Sequence, residues 1–175
     1  MSTVGTEAVK TWLNRYRQKL ENIERLAYEL DALESKVTSP SLPALDGLPH
    51  TPGYAGDRMG GIVGRLDELR TVIEEAQAEA TATRREIEAI IKQISGPHWP
   101  DRRAVLRFRY LLCMAWPDVT DALFGAKRDF LDKEDTYMRR VYRLHSEALL
   151  DLLELVPDEA LQEMDTENGG QENEI

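Results

Sequence analysis

The feature that most constrains this 175-residue chain is a ten-residue apolar seam that never slips register. Ile62, Leu66, Leu69, Ile73, Ala76, Ala80, Thr83, Ile87, Ile90 and Ile94 alternate steps of four and three. That spacing holds all of them on one helical face, the pattern of a coiled-coil seam. Its centre is small, at Ala76 and Ala80, where a neighbouring helix can approach closely. An earlier stretch, Val9 to Lys36, carries a stripe of its own: Leu13, Tyr16, Leu20, Ile23, Leu26 (or Ala27), Leu30 and Leu33. Glu, Lys and Arg fill much of the remainder, with no internal Gly or Pro, so a long amphipathic helix is expected there. The segment between, SPSLPALDGLPHTPGYAGDRMGG, is too rich in proline and glycine to continue either helix and reads as a connecting loop over 38–61. Neither helix can hide its stripe alone. The simplest solution is an antiparallel helical hairpin spanning 1–97. A homodimer built through the same seams is the competing one.

Ser95-Gly96-Pro97 ends the second helix, as glycine followed by proline should. Asp101 is placed to cap a helix from Arg102 to about Met114, whose inward residues would be Val105, Leu106, Tyr110 and Leu111 or Leu112. Trp116-Pro117-Asp118 opens a short helix that Gly125 closes, with Val119, Leu123 and Phe124 inward. Asp129 to Leu153 then shows a third stripe of Phe130, Tyr137, Val141, Leu144, Ala148, Leu149 and Leu152. The fold class is therefore all-α. The region 98–156 has the layout of a three-helix, helix-turn-helix module, in which the last helix enters a DNA major groove. Beyond it, 157–175 is acidic and polar, and reads as a disordered tail.

Net charge is −10, but its distribution matters more than its sum. From Leu153 to Ile175 there are 8 acidic side chains and no basic one, whereas Trp99 to Leu152 holds 10 Arg or Lys against 9 Asp or Glu. The helical module is close to neutral, less basic than many DNA-binding domains. Several chemistries are excluded by their missing signatures. His50, His98 and His145 are scattered and Cys113 is the single cysteine, so no set has metal-ligand spacing. No phosphate-binding loop, nucleophile elbow or paired-histidine metalloprotease motif is present, and neither an enzyme nor a cofactor is expected. Trp99 and Trp116 are expected as core anchors. The N-terminus lacks a basic-then-apolar leader and no stretch is apolar enough to span a membrane, so a cytoplasmic protein is expected.

The tract VLRFRYLLCMAWPDVTDALFG followed by VYRLHSEALLDL, behind a helical N-terminal half and a Pro/Gly loop, resembles a bacteriophage family. Its members carry a C-terminal helix-turn-helix similar to region 4 of sigma-70 factors and are described as late-transcription regulators of the ArpU type. The specific pieces are Arg107-Phe108-Arg109-Tyr110, Trp116 with Val119, and Val141-Tyr142-Arg143-Leu144-His145 with Ala148-Leu149. The resemblance implies sequence-specific binding of duplex DNA by a phage or prophage transcription regulator in a bacterial host. Arg139, Arg140 and Arg143 would then supply base or phosphate contacts, with Arg107, Arg109, Lys127 and Arg128 as helpers. The hairpin would serve dimerisation or contact with host RNA polymerase. One departure stands out: the segment YRLHSEAL follows the turn glycine only after the insert AKRDFLDKEDTYMRR. Either the last helix begins near Asp129 and opens with acidic residues, or the insert forms a turn of its own and the helix starts nearer Tyr137. A helical scaffold whose helix-turn-helix has lost DNA binding is the alternative function.

Overall fold

The structure is a computed structural model that describes residues 3–38 and 55–162, with side chains from 5 to 37 and from 60 to 162. Every regular element among them is helical: α1 (Thr3–Thr38), α2 (Ala55–Ile91), α3 (Trp99–Leu106) continued by a π turn (Arg107–Leu111), α4 (Trp116–Phe124) and α5 (Glu134–Leu155). None is long and apolar enough to cross a membrane.

Both long helices are longer than the stripes that announce them. Helix α1 starts six residues before Val9 and stops two before Pro40, whose ring disfavours helical geometry in the residue preceding it. Helix α2 begins at Ala55, inside the segment expected to be loop. All four prolines of that segment precede Ala55. Gly60, Gly61 and Gly64 cost roughly 1 kcal/mol each in a helix but do not forbid one. The remainder of the expected loop, 39–54, lies outside the described residues.

The chain divides into two compact units, Lys19–Ala80 and a larger one made of Met1–Gln18 with Thr81–Ile175. In the smaller unit α1 and α2 lie side by side and antiparallel, bridged by Lys19–Glu79 at 2.9 Å and Glu34–Arg70 at 2.8 Å. Along α2 the seam positions are the least exposed: Leu66 and Ala80 are buried, while Ile62, Leu69, Ile73 and Ala76 are half-buried. On α1 the stripe is Leu20, Ile23, Leu26, Leu30 and Leu33, all half-buried, with Ala27 exposed. Two helices touching only each other leave one side of each stripe open, which is why so few of these residues are enclosed.

The larger unit has the true core. Val9, Trp12 and Leu13 of α1, Ile87 and Ile91 of α2, and Ile94 just beyond it are almost wholly removed from water. At roughly 1.5–3 kcal/mol per large side chain, this is the chief stabilising term of the unit. Helix α5 crosses the same core with Val141, Leu144, Ala148, Leu149 and Leu152 buried. It comes so close to α1 that a Cβ on Gly5 would sit 2.9 Å from a methyl of Leu153. Around α3, α4 and α5 a second cluster joins Val105, Val119, Phe124, Phe130, Val141 and Leu144. Of the alternatives Leu111 and Leu112, Leu111 is buried and Leu112 is exposed.

Two local expectations are corrected. Helix α3 begins at Trp99, with Pro100 in its first turn, where a missing N–H costs nothing. Asp101 is consequently inside the helix rather than its cap, and His98 precedes it at φ 56°. Gly125 closes α4 as expected, with an ordinary helical φ of −57°. It is required for space, since a Cβ there would lie 2.6 Å from the Asp121 carbonyl oxygen. Residues 158–162 form a further helical turn with Leu161 buried, so the acidic end is ordered past Pro157. The rest of the expected disordered tail, 163–175, lies outside the described residues.

Candidate nucleic-acid interface

Helix α5 positions three of the seven predicted contact residues, Arg139, Arg140 and Arg143. Its start at Glu134 falls between the two alternatives for the insert: residues 126–133 are turns and Asp129 lies before the helix, yet the first turn still carries Glu134 and Asp135. Phe130 anchors the insert by entering the core and facing Tyr137 across 5.8 Å, while Tyr137 stacks on Phe124 at 5.1 Å. Asp129 accepts hydrogen bonds from the Lys133 ammonium and the Tyr137 hydroxyl, both at 2.8 Å. These two donors hold the Asp129 carboxyl below its ordinary range, and the same bonds raise Lys133 and Tyr137. The insert is thereby clamped to the front of α5 by one carboxylate.

The outward stripe of α5 follows from its packing. Val141, Leu144, His145 and Ala148 face the core, so helical periodicity turns Arg139, Tyr142, Arg143 and Ser146 to solvent. Arg139 forms no ion pair among the described residues, and Arg143 is mostly exposed with Glu147 at 3.8 Å. Arg140 differs from both. It is half-buried, its guanidinium lies over the Phe124 ring at 4.9 Å, and Asp101 stands 3.7 Å away. A shallow, open depression lined by Lys133, Tyr137, Arg139, Arg140 and Arg143 runs along this side of the helix.

The helper residues divide in the same way. Lys127 and Arg128 are exposed in the turn after α4, with no ion pair among the described residues. Arg107 is exposed but bonded to Glu88 of α2 at 2.8 Å. Arg109 has a structural role: it donates to the Met114 carbonyl at 2.8 Å and lies 4.9 Å over the Trp116 ring. That bond secures the π turn, whose wide ring is closed by the Leu112 amide on the Arg107 carbonyl at 2.9 Å. Cys113 follows at φ 54°, a left-handed conformation that a non-glycine residue rarely takes. The cysteine is half-buried at a reversal of the chain rather than enclosed.

Behind the stripe sits an aromatic group that sequence reasoning did not assemble. Tyr110 and His145 stack at 5.8 Å and share a 3.0 Å hydrogen bond between the hydroxyl and Nε2. Burial pushes the Tyr110 hydroxyl up to about 12 and His145 down to about 4, the latter with help from the positive charges of Lys10 and Arg109. Trp116 packs edge-on against both His145 and Tyr142, at 4.9 and 5.1 Å. It anchors as expected, whereas Trp99 is 44% exposed and carries the Arg103 guanidinium over its ring at 4.2 Å. A grouping of three or more potential metal ligands does not occur among the described residues.

No protein-family model, no curated protein and no solved structure matches this chain. Its reading therefore rests on the geometry.

Proposed function

We propose that this chain binds duplex DNA through the outward face of α5, as a sequence-specific transcription regulator of phage or prophage type. The observation that carries the reading is the pairing of Arg139 and Arg143 one turn apart on a solvent face, backed by α3 and α4. Guanidinium groups at that spacing reach both guanine edges and phosphates. In this reading α3, α4 and α5 are the three helices of a helix-turn-helix module with a nine-residue turn, and α1 with α2 is the hairpin that carries dimerisation or polymerase contact. The clamp at Asp129 ties the insert to the first turns of α5.

Of the seven predicted cations, four remain for phosphates or bases: Lys127, Arg128, Arg139 and Arg143. Arg107, Arg109 and Arg140 are engaged within the protein. With four contacts, affinity should fall on the order of a hundredfold between about 50 and 200 mM salt. Fluorescence anisotropy with duplexes from the gene's own neighbourhood tests this; a salt-insensitive or absent association rejects it. A second reading, a helical scaffold that does not bind DNA, is favoured by Glu134 and Asp135 in the first turn of α5, which would meet phosphates with like charge.

A further inference from the structure

We propose that Tyr142 is a specificity-determining residue of this interface, reading the 5-methyl group of a thymine in the major groove. The inference rests on the DNA reading above and deepens it. Tyr142 lies three residues after Arg139 and immediately before Arg143, in the middle of the exposed stripe, with 44% of its surface open to water. An aromatic ring that exposed on an otherwise polar face is rarely held in one place, yet this one is. Trp116 meets it edge-on at 5.1 Å, Trp116 is itself held edge-on by His145 at 4.9 Å, and the Arg109 guanidinium covers Trp116 at 4.9 Å. Arg109 is fixed in turn by the Met114 carbonyl. The column Arg109–Trp116–Tyr142 thus runs from the π turn to the surface of α5 and ends in a half-exposed aromatic side chain.

Such pre-organisation matters because immobilising a free side chain on binding costs about 0.5–1.5 kcal/mol, and here folding has already met that cost. The chemistry of the position narrows the ligand. Flanked by two guanidinium groups that seek guanine edges or phosphates, an aromatic face offers an apolar surface where base edges otherwise present donors and acceptors. The matching feature of the major groove is the thymine methyl. The Tyr142 hydroxyl has no hydrogen-bond partner among the described residues, so the ring rather than the hydroxyl is what the fold positions.

The experiment uses the full chain and a duplex it selects from a random 20-base-pair library. Each thymine of that duplex is then replaced by deoxyuridine, which removes only the methyl. The expected result is one position where deoxyuridine weakens wild-type binding about tenfold, with Tyr142→Ala equally weakened on the thymine duplex and indifferent to the replacement. Tyr142→Phe should keep the discrimination. Circular dichroism verifies that the variants fold, as expected for a half-exposed side chain. A selected duplex bound equally with and without every methyl, or a Tyr142→Ala variant that still discriminates, overturns the assignment. Failure to select any duplex overturns the DNA reading, and the Tyr142 assignment with it.

Discussion

Acidification should destabilise this protein through His145 before its carboxylates titrate. The imidazole is 8% exposed, bonded to the Tyr110 hydroxyl, and faces the positive charges of Lys10 and Arg109. Its value falls from 6.5 to about 4 in the folded chain. The sign is set by which state binds the proton first. In the unfolded chain His145 protonates at 6.5, while the folded chain resists until about 4, so lowering the pH draws the equilibrium towards unfolding. The stabilisation is complete above 6.5 and is lost progressively down to 4. Between pH 7.5 and 5.0 the gap spans 1.5 logarithmic steps below 6.5, about 2 kcal/mol in all. For a chain of this size that is roughly 4–8 °C in Tm. Urea denaturation followed at 222 nm at both pH values, on the wild type and on His145→Gln, isolates the effect. The variant should lose most of the pH dependence. If wild type and variant decline in parallel, His145 is not the group responsible and its burial has been misjudged.

Other positions give equally direct outcomes. Cys113→Gly should stabilise the chain by up to about 1 kcal/mol, because the left-handed φ of 54° penalises any side chain; a net loss in chemical denaturation would contradict that account. Gly125→Ala should cost about 1–3 kcal/mol, since its Cβ collides with the Asp121 carbonyl, and unchanged stability would refute the crowding. Arg102 is buried against Asp151 and the Pro97 carbonyl, so Arg102→Ala should cost about 3 kcal/mol, partly recovered when Asp151→Leu is added. A Leu106→Ala cavity should cost about 2–5 kcal/mol, against under about 0.5 for Tyr28→Ala, which is 78% exposed.

The helical elements were legible because periodicity reports burial. The α2 seam picked out its least exposed positions from Ile62 to Ile87, and the last stripe found the buried Val141, Leu144, Ala148, Leu149 and Leu152 of α5, while its Phe130 lies before the helix and its Tyr137 is half-buried. Periodicity cannot report neighbours. In the larger unit α2 is covered on more than one side, so Ile91 is fully buried although it lies off the seam, and Ile90 is left half-buried. Helix ends were legible where proline or a closing glycine set them: α1 stops before Pro40 and α4 at Gly125, but nothing in the glycine-rich stretch marks Ala55 as a start. The candidate site was partly legible. Charge alone grouped Arg107, Arg109 and Arg140 with Arg139 and Arg143. Which arginines are engaged depends on Glu88, Met114 and Phe124, partners that are brought near only by folding. The one usable signal for Tyr142 was its place between Val141 and Leu144 on a helix whose apolar face was already assigned.

In the proposed function the outward face of α5 holds DNA. Anisotropy on a selected duplex at about 100 mM salt, comparing wild type with an Arg139→Ala/Arg143→Ala double variant and with Arg107→Ala, tests it most directly. The double variant should lose at least about tenfold in affinity, with little change for Arg107→Ala, whose guanidinium is already bonded to Glu88. Equal affinity in all three proteins would place any DNA contact elsewhere and leave α5 as a purely structural helix.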